Sequence, residues 1–135
     1  MSDASVSFIT SVPGLPVPPG YSYAASSSRE LVLFAGQVAL DAQGNLVGRG
    51  DFDTQVRQTF VNLGRALTAA GCVPADVLRV SYYVVGLTRE RLLAIRAQRE
   101  GFFGEPKPAS TLIGVVALFD PDALIEIEVI AARRP

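Results

Sequence analysis

Between Asp53 and Ala70 the apolar residues Val56, Phe60, Leu63 and Leu67 recur at spacings of four, three and four, which stacks them along one stripe of an α-helix. Asp51 or Asp53 can cap its start, Gly71 supplies a stop and Pro74 bars continuation. From Val77 to Val85 the period changes to two: Leu78, Val80, Tyr82 and Val84 alternate with Arg79, Ser81 and Tyr83, as in a strand with one apolar face. Helical spacing returns after Thr88, a fitting N-cap, with Leu92, Ile95 and Phe102 as the stripe and an end near Gly101 or Gly104. Two β-rich segments follow, Ala109 to Leu118 and Leu124 to Ala132. Upstream, the prolines between Pro13 and Gly20 impose an extended loop, because each removes a donor and fixes φ. Leu31 to Ala35 has strand length, and the turn residues from Asp41 to Asn45 predict a hairpin returning through Leu46 and Val47. The order ββ-α-β-α-ββ predicts a single α+β domain over residues 1–135, with both helices on one face of one sheet, since each helix has one apolar stripe to bury.

Composition adds a partner to this picture. A chain of 135 residues holds one ordinary core. Its 49% hydrophobic content and mean hydropathy of +0.31 exceed the needs of so small a monomer and predict apolar surface buried in an oligomer, with the second sheet face covered by other subunits. The net charge of −1 argues against capture of a nucleic-acid backbone. A single cysteine, Cys72, and the absence of histidine exclude an internal disulfide and the usual zinc ligand sets. The first ten residues carry acidic Asp3 and no basic n-region, and nowhere do eighteen uncharged apolar residues run together, so a cytoplasmic protein without a membrane span is expected.

Few residues offer chemistry. Ile125-Glu126-Ile127-Glu128 places both carboxylates on one strand face; they are a water-positioning base if that face lines a pocket, and ordinary surface glutamates if it does not. Arg89, Arg91, Arg96 and Arg99 form either an anion site or a solvated helix face balanced by Glu90 and Glu100. Asp51 and Asp53 read as metal ligands or, more simply, as acids that cap a helix and complement its dipole. Cys72 has no histidine to ionise it and reads as an inert thiol.

Several segments together resemble the Rid family (RidA/YjgF, formerly endoribonuclease L-PSP). They are Gly20-Tyr21-Ser22, Ala35-Gly36-Gln37-Val38, Asp51 to Leu63 with Asn62, Ala69-Ala70-Gly71, Asp76-Val77, Phe102-Phe103, Pro108-Ala109 and Ile125 to Ala131. The resemblance implies a chorismate-mutase-like α+β fold and a homotrimer with a small-molecule pocket at each subunit interface. It also implies hydrolysis of amino-acid-derived imines or enamines to a 2-oxo acid and ammonia, without metal or organic cofactor. By the same resemblance Glu126 is the water-positioning glutamate, Tyr21 the pocket tyrosine, and Gly36 and Thr111 are backbone and motif positions beside the pocket.

The sequence departs from the family at one telling place. Where the family's Pro-Ala-Arg-Ser/Thr motif supplies an arginine for the substrate carboxylate, this chain reads Pro108-Ala109-Ser110-Thr111. A serine offers one neutral hydrogen bond in place of a bidentate ionic clamp, a loss on the order of 1.5 to 3 kcal/mol. Leu112 makes the neighbouring wall more apolar, and Arg96, where the family often has asparagine, is a candidate replacement cation together with Arg99. The expected function is a small-molecule hydrolase of imine/enamine deaminase type with altered substrate. The alternatives are a non-catalytic small-molecule binder or trimeric interaction module, and a ribonuclease, which the lack of histidine disfavours.

Overall fold

The structure is a computed structural model and describes residues 5–135; Met1 to Ala4, including the Asp3 invoked above, lie outside the described residues. Its elements are β1 (Val6–Ile9), β2 (Ala24–Ser27), β3 (Leu31–Leu33), α1 (Phe52–Ala69), β4 (Val77–Val85), α2 (Arg89–Phe102), β5 (Ala109–Val115) and β6 (Ile125–Ala132). Strands β3 to β6 form one mixed sheet in the order β3-β6-β4-β5, with β4 and β5 parallel and the other pairs antiparallel.

Helix α1 forms as its stripe predicts. Asp51, not Asp53, is the cap: its carboxylate accepts from the Thr54 backbone N–H at 3.1 Å and from Thr54 Oγ1 at 2.8 Å, which satisfies an orphan amide and favours the helix dipole. At the other end Cys72 N–H donates to Leu67 and Gly71 N–H to Thr68, the paired closure that needs a left-handed residue, here Gly71 with φ 73°. Val56, Leu63 and Leu67 are fully buried and Phe60 nearly so. They pack on Val80, Tyr82, Ile125, Ile127 and Val129 from the sheet and on Ile95 from α2. Thr88 caps α2 through Arg91 N–H at 3.2 Å. Both helices therefore occupy one sheet face, as the single stripes require.

Two expectations are corrected. The hairpin between Leu31 to Ala35 and Leu46-Val47 is absent: β3 pairs instead with β6, Leu31 opposite Ala132 and Leu33 opposite Ile130. The Asp41 to Asn45 turn closes only a bridge from Leu40 to Leu46, with Asp41 Oδ1 accepting from the Gln43 and Asn45 backbones. The long-range partner pairs Leu31 to Leu33 in a ladder and also accepts the Phe34 N–H at the Val129 carbonyl, whereas Leu46 and Val47 are too short a run to offer as much. The Pro-rich segment is a loop but not an extended one, since it turns at Gly14 (φ 84°), where Leu15 N–H donates to the Val12 carbonyl; it connects a hairpin that periodicity did not reveal, β1 with β2, whose Ala24-Ala25-Ser26-Ser27 strand lacks the β-branched residues that mark strands. The arginines of α2 are also not uniformly solvated: Arg99 is 8% exposed and donates from Nη2 to the Pro19 carbonyl at 2.8 Å.

Candidate functional site

Register sorts the candidate residues onto two faces of the sheet. On β6 the burial alternates, with Ile125, Ile127 and Val129 toward the helices and Glu126, Glu128 and Ile130 toward the opposite, open face. Antiparallel pairing sets Tyr83 beside Glu126, Ser81 beside Glu128 and Arg79 beside Ile130. Parallel pairing continues these rows to Ile113, Thr111 and Ala109. The open face thus carries Arg79, Ser81, Tyr83, Thr111, Glu126 and Glu128, framed by apolar Leu31, Leu33, Ile113 and Ile130.

The two glutamates have different surroundings. Glu128 Oε1 accepts from Tyr83 Oη at 2.5 Å. The carboxylate of Glu126 makes no hydrogen bond within the chain among the described residues, and it lies directly over Gly36, where a Cβ would fall 2.2 Å from Oε1. Any larger residue at Gly36 would displace the Glu126 side chain from this position. Its segment is held along β6 by reciprocal bonds between the Gln37 and Ile127 backbones, 2.7 and 2.9 Å, and from α1 by Asn62 Nδ2, which donates to the Val38 and Leu40 carbonyls. Partial burial, and secondarily the negative charge of Glu128, push the Glu126 carboxyl above the usual carboxylate range.

Tyr21, Ser110 and Leu112 belong to another part of the molecule. Ser22 N–H donates to the Pro108 carbonyl at 3.1 Å and Ser22 Oγ to the Lys107 carbonyl at 2.5 Å, which lays the Tyr21 loop along the start of β5. Buried Lys107 secures this corner by donating to the Phe103 and Glu100 carbonyls. Ser110 and Leu112 pair with Val80 and Tyr82 and so project from the helix-side face, where Leu112 packs against the core. Ser110 lies two strands and three residues from the Glu126 row, roughly 14 Å between backbones, and on the opposite face. Within one chain the predicted set does not converge: Gly36, Thr111 and Glu126 share one face, while Tyr21, Ser110 and Leu112 share the β5 edge.

Arg96 joins neither group; its Nε is buried without a partner, and no bond links it to Ser110, Thr111 or Glu126 among the described residues. Arg99 is committed to the Pro19 loop. Sequence reasoning passed over Arg79 and Tyr83, whose alternation on β4 was visible but whose proximity to the glutamates depends on β4 lying between β5 and β6.

A hollow of about 150 Å³ on the open face is lined by Leu33, Phe34, Arg79, Ser81, Glu128, Val129 and Ile130. A larger cleft of about 680 Å³ separates the N-termini of α1 and α2, where Asp51, Thr88 and Arg91 have structural duties. Asp51 caps α1, and Arg91 stacks over the Phe52 ring and donates to the Val85 carbonyl. No group of three metal-ligating side chains occurs among the described residues, and no described helix is long and apolar enough to cross a membrane. Cys72 is buried, and burial raises its thiol above the usual range, which keeps it protonated and unreactive.

Comparison with known proteins agrees with this architecture. The endoribonuclease L-PSP family matches residues 16–133. A RutC family protein of Pyrococcus horikoshii is 33% identical over 120 residues, covering 88% of this chain and 92% of that one. The 2-iminobutanoate/2-iminopropanoate deaminase of Salmonella typhimurium is 32% identical over 107 residues, covering 77% and 80%. A crystal structure of a Rid family protein of unknown function from Yersinia pestis superposes with a TM-score of 0.86 at 41% identity, covering 94% of this chain and 98% of that one. With its matched length, its helices on one face of a mixed sheet and these relatives, the chain belongs to the endoribonuclease L-PSP family, also called the Rid, YjgF or RutC family.

Proposed function

We propose that the protein is a cofactor-independent hydrolase of imines or enamines, working in a homotrimer whose neighbouring chains complete each site. The observation that carries this reading is the Glu126 carboxylate: half-buried, seated on Gly36, raised in pKa and free of hydrogen-bond donors from its own chain. Such a group can accept a proton from water near neutral pH. In the reaction the water oxygen bonds to the imine carbon as Glu126 takes its proton, the C=N π pair moves to nitrogen, and Glu126 returns that proton to the nitrogen. The resulting carbinolamine then loses the C–N bond: its hydroxyl proton passes through the Glu126 carboxylate to the nitrogen, the O–H pair forms the carbonyl, and the nitrogen departs as ammonia with the C–N pair.

The separation of Tyr21 and Ser110 from Glu126 within one chain favours completion by a second copy, whose β5 edge would bring its Tyr21 loop to the Glu126 face. The exposed apolar frame, with Leu33 73% and Ile113 42% exposed, suits such coverage. The Salmonella relative's name supports imine chemistry. Ser110 in place of a carboxylate-binding arginine argues for a different substrate from small 2-imino acids and also keeps a second reading in play, a trimeric small-molecule binder without turnover. Ribonuclease activity has weaker support, because a chain with no histidine and a net charge of −1 lacks both an imidazole acid/base pair and a field for phosphates.

The discriminating experiment generates a panel of imines with amino-acid and amine oxidases and follows ammonia release. The hydrolase reading expects acceleration of at least one imine, slow handling of 2-iminobutanoate, and a gain of about tenfold or more in kcat/KM for that substrate in Ser110→Arg. No acceleration of any imine, with a small molecule still bound, would leave the binding-module reading.

A further inference from the structure

The open face has an arginine in a position that the altered motif makes significant. Arg79 projects from β4 on the same side as Glu126 and Glu128. Its Nη2 donates to Thr111 Oγ1 at 3.1 Å, and Thr111 directly follows Ser110. The motif's hydroxyl residue therefore holds a guanidinium beside the place where the motif itself no longer supplies one. Arg79 is the one basic residue on the open-face rows of β3 to β6, and among the described residues no carboxylate lies within ion-pair distance of it. It borders both the hollow that contains Glu128 and a second one lined by Tyr23, Leu31, Ala109 and Ile130.

A guanidinium has five N–H donors, and the single bond to Thr111 orients the fork while leaving most of them for a ligand. If the open face is covered in an assembly, a cation left there without an anion would be strongly unfavourable, so this position demands a negative partner. Ser110, by contrast, faces the helices, and an arginine's return at that position would approach from the β5 edge.

We infer that Arg79, oriented by Thr111, is the carboxylate-binding residue of this protein's site, and that it selects acids whose carboxylate stands several atoms from the reacting C=N carbon. The inference rests on the imine-hydrolase reading for the reaction but not for the anion site itself. The spacing follows from register: the Thr111 row, where the guanidinium is held, lies one same-face step and two strands from Glu126, roughly 12 Å between backbones. A separation on that scale suits an acid whose carboxylate stands several atoms from the C=N carbon better than a 2-imino acid, whose carboxylate is adjacent to it. Tyr83 Oη, engaged with Glu128, reduces the repulsion an incoming anion would meet there.

The test uses the full-length protein, Arg79→Gln and Arg79→Lys, with 2-iminoglutarate, 2-iminobutanoate and the carboxylate-free imine formed from benzylamine. KM for 2-iminoglutarate should rise about tenfold to a hundredfold in Arg79→Gln, with kcat less affected and part of the loss recovered in Arg79→Lys. The effect on the benzylamine-derived imine should be several-fold smaller. Calorimetric titration with 2-oxoglutarate gives a readout without turnover, and its affinity should fall in parallel. Equal effects on the charged and uncharged imines, or 2-oxoglutarate binding that is absent in the wild type or indifferent to Arg79, overturns the inference. So does loss of the assembled mass in Arg79→Gln, which would assign the guanidinium to a neighbouring chain's carboxylate. Absence of hydrolysis together with Arg79-dependent 2-oxoglutarate binding would count against the hydrolase reading alone and support the anion site.

Discussion

Glu126 and Glu128 occupy the same strand face two positions apart, yet their surroundings differ. Glu128 receives the Tyr83 hydroxyl, so one of its oxygens is already occupied by a donor. Glu126 has burial and the Glu128 charge acting on it, both raising its pKa. A base must be deprotonated to work, so the acid limb of the kcat/KM profile should lie above the ordinary carboxylate range. Glu128→Gln removes the repulsive charge and should move that limb to lower pH; a limb that stays put or moves upward would contradict the electrostatic assignment. Linkage gives a second consequence. Because the folded-state pKa of Glu126 is raised, the native chain binds its proton more tightly than the unfolded chain. The stabilisation from that proton is present below the unfolded pKa and is lost as pH rises through the folded one. At neutral pH the charge of Glu126 is thus a cost to the fold.

At the level of elements, the most legible parts of the sequence were those with strong local periodicity. Val56, Phe60, Leu63 and Leu67 define α1, and the alternations in β4 and β6 assign their faces, because core burial and period coincide there. The β3 pairing and the β1-β2 hairpin were not legible, since a three-residue strand beside β6 and a Ser-rich strand have no local pattern that names a partner. The same holds for the site: alternation places Arg79 and Tyr83 on one face of β4, but only the order β3-β6-β4-β5 brings them to the glutamates. Gln55 shows how a polar residue on an apolar stripe can organise such an order. Its amide is fully buried, donating to the Gly48 and Asp122 carbonyls and accepting from Leu124 N–H at 2.8 Å, which ties α1 to the entry of β6. Gln55→Leu keeps the volume and strands those three backbone groups, so a loss of about 3 kcal/mol is expected, read as a lower urea midpoint with little change in m. A midpoint within experimental error of the wild type would show that the latch contributes nothing.

For the whole molecule, the uncovered sheet face and the split between the Glu126 and Tyr21 groups argue for the same assembly. Light scattering should give about three times the 14.3 kDa chain mass, and Leu33→Asp, which places a charge on a side chain exposed in the single chain, should dissociate it while preserving the fold. A folded Leu33→Asp variant with undiminished mass would locate the interface elsewhere. Water activation by Glu126, as proposed above, is checked by assaying Glu126→Gln and Glu128→Gln side by side for ammonia release on an imine accepted by the wild type. Glutamine preserves size while removing the base, so Glu126→Gln should lose roughly 100-fold or more in kcat. It should retain the wild-type mass and, at neutral pH, equal or greater stability, whereas Glu128→Gln should lose much less activity. Equal losses, or a larger loss at Glu128, would show that Glu126 is not the base.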